Sequence, residues 1–268
     1  EENGGYTIKV SEIYNGELKD KAPILAGEVL VPNEIEGTSP CVQYNGMLCK
    51  VLYNDETHGL QIVTADNGVV PDVILGEGDE NVTADDFTYD GSLTLDEDFK
   101  KAATSYNNAV DNLNEIARGY MDEKAIDARC LGSKATLEDG KFKDDTSGMF
   151  TGTAAYLETY NWNGKFKDED TNYEEDVGQI NALGLNAKSG NTWLASRYIN
   201  NKSSYTSFIV HFMFASGGVG YNGLCSVNSE CEMRVESHSN GFRPVFLLSS
   251  DIIISSGDGS SEHPYIIE

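Results

Sequence analysis

Cys41, Cys49, Cys130, Cys225 and Cys231 are the residues of this chain best equipped for covalent chemistry. None belongs to a CxxC pair, and histidine is scarce, so a structural zinc site is not expected. Cys41 and Cys49 bracket an apparent turn over 42–48 with Asn45-Gly46 at its tip. Cys225 and Cys231 bracket a second polar stretch. This spacing predicts short-loop disulfides, which form outside the reducing cytosol. A Cys130–Cys225 bridge is a further connectivity, and the odd count leaves one thiol unpaired within the chain. A redox-active Cys225–Cys231 pair would need depressed thiol pKa values. Glu230 and Glu232 push the other way, with only Arg234 opposing them.

Asp168, Asp170, Asn172 and Glu174 alternate as calcium ligands in a loop do. Tyr173 stands where an EF-hand loop needs glycine, however, and Gln179 stands where it needs the closing glutamate. The run therefore reads as an acid-rich helix N-terminus favoured by the helix dipole. No cofactor is expected, with calcium at this run as the alternative. His58, His211, His238 and His263 lie in unrelated contexts, and neither G-x-S-x-G nor HExxH occurs, so hydrolytic catalysis is not expected. The net charge of −25 repels phosphate, which argues against nucleic acid and anionic lipid as partners and suits cations or basic partners. No run approaches the ~18–20 apolar residues of a membrane span. The chain starts at Glu1 with neither a Met nor a leader, which reads as a mature or trimmed form.

A third chemistry is recognition. Between Arg197 and Gly241 the chain is dense in Asn, Ser, Tyr, Gly and Phe, a mix that supplies aromatic anchors and adaptable hydrogen bonds. Tyr198, Asn200, Tyr205, His211, Phe212, Phe214, Tyr221, Asn222, Arg234 and His238 form the candidate contact set, on a face built from a loop-rich segment. Phe212 and Phe214 make an apolar patch if exposed; the apolar run around them also fits a core strand.

The elements that must carry these residues follow from pattern. Leu48–Tyr53 and Leu60–Thr64 read as strands around a turn at 54–59, and Val73–Leu75 as a short third. An acidic loop spans 76–91. Thr94 and Glu97 have capping-box spacing, and Ala103, Tyr106, Val110, Leu113 and Ala117 then recur at helical spacing. A second helix starts near Thr171, buries Val177, Ile180 and Leu183, and stops near Gly184. Strands return at Thr192–Arg197, Phe208–Ala215, Phe242–Leu248 and Pro264–Ile267. Pro244 is expected at an edge or a bulge, because it cannot donate to a ladder. Strands, then helices, then strands predict an α+β fold. Glycine- and proline-punctuated residues 1–39 read as a lead segment before a domain over 40–268.

Trp193-Leu194-Ala195-Ser196-Arg197, Ala215-Ser216-Gly217-Gly218 and Asn240-Gly241-Phe242-Arg243-Pro244-Val245-Phe246 carry a resemblance. Val51–Asp55, Gly59–Ile62 and the ending Gly257–Ile267 fit it too. Together they resemble a domain family of unknown function common in surface proteins of Gram-positive bacteria. That family is related to the C-type-lectin-like fold of formylglycine-generating enzymes and retroelement variable proteins. The resemblance implies two helices packed on small twisted antiparallel sheets, with the first and last strands close together. It also implies a cell-surface protein. With the composition of the Arg197–Gly241 segment and the lack of catalytic motifs, the first expectation is an extracellular ligand-binding or adhesive protein, not an enzyme, whose partner is a protein or glycan on a host or neighbouring cell. A pilin-like structural subunit, anchored by an apolar helix ahead of Glu1, is the second expectation. A formylglycine-type oxidase using Cys225 and Cys231 is the third.

Overall fold

The computed structural model describes residues 39–66, 68, 70–76, 95–151, 167–169, 173–185, 190–201, 205–228, 233–235, 237–249 and 252–268. The lead segment over 1–38, most of the acidic loop and the capping residue Thr94 lie outside them. Strands β1 (Cys41–Tyr44), β2 (Met47–Asp55), β3 (Gly59–Thr64) and β4 (Val73–Gly76) precede helix α1 (Leu95–Arg118). Then come β5 (Ala125–Cys130), the short β6 (Leu137–Glu138) and β7 (Lys141–Phe142), β8 (Lys167–Glu169) and helix α2 (Tyr173–Ala182). The rest is strand: β9 (Thr192–Asn201), β10 (Tyr205–Met213), β11 (Val219–Asn228), β12 (Met233–Val235), β13 (Ser237–Asn240), β14 (Pro244–Leu248), β15 (Ile254–Ser256) and β16 (Tyr265–Ile267).

A seven-stranded sheet runs β15-β16-β1-β2-β3-β14-β5, and a five-stranded sheet runs β12-β11-β10-β9-β8. Asn45 and Gly46 both have positive φ, 44° and 77°, which matches the right-handed twist of the β1–β2 hairpin they close. The turn is therefore two residues long, and its flanks are strand. At the other end of the chain, β16 returns to lie parallel to β1, with Val42 opposite Tyr265.

Two clusters form the core. In the first, Ala109, Val110, Leu113 and Ala117 of α1 pack against Ile62, Ala128 and Phe246 of the larger sheet and Trp193, Val210 and Phe212 of the smaller. In the second, Val177 and Ile180 of α2 pack against Leu52, Val63 and Val245 and against Leu194 and Met213. The larger sheet is thus covered on both faces, which is why Pro244–Leu248 is buried at every position instead of alternating.

Three expectations need correction. Pro244 lies at neither an edge nor a bulge: β14 sits between β3 and β5, and Pro244 is tolerated as its first residue. Cys41, Cys49 and Cys130 are buried free thiols, so the Cys41–Cys49 and Cys130–Cys225 bridges do not form. In the β1–β2 register Cys41 faces Lys50 and Cys49 faces Val42, which sets the two thiols on different pairs. Burial pushes all three thiols up in pKa, with the Arg129 charge opposing it at Cys130, so they behave as core residues and not as nucleophiles. Cys225 falls on β11; its side chain, and all of Cys231, lie outside the described residues. Finally, most of the segment from Arg197 to Gly241 is paired strand, not loop.

Candidate functional site

Strand alternation sorts the candidate residues onto two faces of the five-stranded sheet. Trp193 and Ala195 of β9 and Val210 and Phe212 of β10 face α1 within the first core cluster. Leu194 and Met213 face α2 within the second, so Tyr198, Asn200 and His211 fall on the α2 side by alternation. Tyr221 pairs with His211 across the β10–β11 ladder and joins that side.

The α2 side carries an aromatic strip. The ring of Tyr173, from the first residue of α2, lies 4.7 Å from His211, and Tyr198 stacks on the same imidazole at 5.7 Å and 19°. Tyr198 then meets Tyr221 edge-on at 6.3 Å. His211 is the floor of this strip: it is buried, and its Nδ1 lies 3.1 Å from the Ser196 hydroxyl oxygen. Tyr221 is the outlet, with 55% of its surface exposed. Buried rings that lock the next ring along hold an exposed tyrosine at low entropic cost, as a contact residue requires.

The α1 side carries the Phe212–Phe214 pair, edge to face with centroids 4.8 Å apart. Phe212 is core; Phe214, just past β10, is 41% exposed. Gly220 lies opposite Phe212, and a Cβ there would come within 2.6 Å of the Phe212 ring and 2.8 Å of the Phe214 ring. A glycine that looks like loop composition is thus the slot for two phenylalanines. The turn after Phe214 is closed by the Gly217 amide donating to Phe214 O at 2.9 Å, and Asn181 of α2 donates to Gly217 O at 3.0 Å.

The remaining candidates do not join the strip. Asn222 pairs with Val210 and falls on the α1 side. His238 sits on β13, paired with Leu75 of β4, and its Nε2 lies 3.1 Å from Gly223 O. Tyr205 and Arg234 occupy register positions opposite Asn228 and Ser226; their side chains lie outside the described residues. Arg243, from the Gly241-Phe242-Arg243 motif, is an interior residue whose pKa burial pushes down to about 10, with Asp66 opposing. Of the alternating oxygen donors, Asp170, Asn172 and the side chain of Asp168 lie outside the described residues and Glu174 is exposed. Among the described residues no group of three His, Cys, Asp or Glu is placed to hold a metal ion, and no helix is long and apolar enough to cross a membrane.

A buried network that the sequence did not reveal ties α2, and with it Tyr173, to the larger sheet. Asp176 of α2 accepts from both terminal nitrogens of Arg129, at 2.6 and 3.0 Å, from the Gly132 amide at 2.6 Å and from the Tyr53 hydroxyl at 2.9 Å. Arg129 Nη2 also donates to Gln61 Oε1 at 2.8 Å. The pair is enclosed, with side chains 1% and 2% exposed, so it is an internal strut from α2 to the larger sheet. At its rim His58 stacks on Tyr53 at 4.2 Å and bridges Asp55 and Glu175.

The fold and site define a mixed α+β protein with one partly open aromatic sheet face. No family model, no curated protein and no solved structure matches the chain.

Proposed function

We propose that this protein is a binding module, not an enzyme, and that it recognises a protein or glycan ligand through Tyr221 and Phe214 at the Phe214–Tyr221 end of the five-stranded sheet. The observation that carries the reading is Tyr221 itself: a large ring, 55% exposed, held where β11 pairs with β10 and braced by Tyr198. Exposed aromatics on rigid elements are where interfaces concentrate their affinity. The surface location and the C-type-lectin-like relationship rest on the resemblance of residues 40–268. The cysteine argument for the extracellular space no longer supports them, since three of the five thiols are free.

The test is a printed array of glycans and of surface-protein peptides, probed with the wild-type chain and with Tyr221→Ala and Phe214→Ala. A ligand captured by the wild type should bind each variant about tenfold more weakly or worse, with thermal midpoints unchanged. Full retention of that ligand by both variants would remove the reading.

A further inference from the structure

A cleft of about 310 Å³ opens between the C-terminal half of α1, Ser133, Phe142 of β7 and the loop that follows it. Asp111, Glu115, Asp144 and Asp145 line it, as do two cations, Arg118 and Lys143. Both cations are engaged: Arg118 with Glu115 and, at 2.9 Å, with Asp127, and Lys143 with Glu138 at 3.4 Å. Arg197 reaches Asp111 only at 3.4 Å, because its Nη1 is held by the carbonyl oxygens of Asp145 and Ser147 at 3.1 Å each. Among the described residues, this is the one ion pair made by Asp111, Asp144 or Asp145, with Arg118 acting on Asp111 from farther off.

Asp145 is the telling residue. It is 2% exposed, its Oδ1 accepts from the Ser147 amide at 2.9 Å, and its buried Oδ2 has no hydrogen-bond partner among the described residues. Native proteins rarely leave a buried carboxylate oxygen without a donor, and a ligand is one way to supply it. Burial raises the Asp111 pKa; Arg197 and, more weakly, Arg118 oppose the rise, while Asp144 and Asp145 add to it.

We propose that this cleft binds a primary ammonium group, carried by a small amine or by a lysine side chain. A metal ion does not suit it, since no three of its acidic groups converge on one point. A quaternary ammonium does not suit it either. It has no hydrogen to give Asp145, and Phe142, the aromatic ring of the lining, already lies 5.2 Å beneath the guanidinium of Arg129. An ammonium offers three donors to the acidic lining of the cleft, in a volume suited to a small ligand.

The experiment is calorimetric titration at low salt with cadaverine and with Nα-acetyl-lysine methylamide, against tetramethylammonium and calcium chloride. The cleft should bind one or both amines and not tetramethylammonium. Cadaverine alone indicates a free amine, and the lysine amide alone a peptide side chain. Asp145→Asn, which keeps the acceptor for Ser147, and the exposed Asp111→Asn should each weaken binding about tenfold. Asp111→Asn keeps an oxygen that can accept from the buried Arg197 Nη2, and an unchanged thermal midpoint beside the titration separates loss of the site from loss of the fold. Absence of binding by both amines, equal binding of tetramethylammonium, affinity unchanged in both variants, or calcium binding lost in them would each overturn the proposal.

Discussion

The two faces of the five-stranded sheet are built from alternate residues of the same strands, yet they end differently. On the α1 side Trp193, Val210 and Phe212 continue into the main core, and Phe214, past the strand end, reaches solvent. On the α2 side Leu194 and Met213 are sealed by Val177 and Ile180, and beyond them the strip Tyr173–His211–Tyr198–Tyr221 runs outward. Helix α1 spans Leu95–Arg118, whereas α2 spans only Tyr173–Ala182 and leaves Tyr221 on its side exposed. Helix length, more than strand composition, decides which face stays available.

The most severe way to break this contrast is to loosen α2. Asp176→Asn leaves Arg129 buried with its charge uncompensated, and the expected loss is about 3–5 kcal/mol by equilibrium denaturation. A loss below about 1 kcal/mol would show that the strut does not hold the helix.

The smallest expected effect concerns the rim of the same helix. Burial pushes Asp55 up, but hydrogen bonds from the His58 ring and backbone outweigh it and hold the carboxyl below its ordinary range. A depressed carboxyl contributes stability that is present above its unfolded pKa of about 3.9 and is lost as the pH falls through the folded value. His58→Ala should therefore move the acid-unfolding midpoint slightly upward, by a few tenths of a pH unit, because Asp55 is half-exposed and solvent screens the pair. A downward shift in an acid titration followed by circular dichroism would contradict this.

How much of this was legible depends on where polarity sat. Met47–Asp55, Gly59–Thr64 and the buried face of α1 were readable because their apolar residues keep one period. Ala125–Cys130 was not, because Asp127 and Arg129 interrupt the pattern; both are buried and partnered by Arg118 and Asp176, which no local signal announces. Val219–Asn228 was read as loop because Gly220, Asn222 and Gly223 are turn residues by type, while here Gly220 makes room for rings from β10. Of the candidate contact residues, Tyr198, His211 and Tyr221 do come together, since their positions share one face of adjacent strands. Tyr173 joins them only through the docking of α2, and His238 is carried away by its pairing with β4.

The most direct test of a sheet with one sealed face and one open face compares two side chains by urea unfolding. Phe212→Ala should cost about 3–5 kcal/mol, as removal of a buried aromatic does. Tyr221→Ala should stay within about 0.5 kcal/mol of the wild type, as a surface substitution does. Comparable losses in both variants would mean that Tyr221 is core, and that the face assigned to binding is closed.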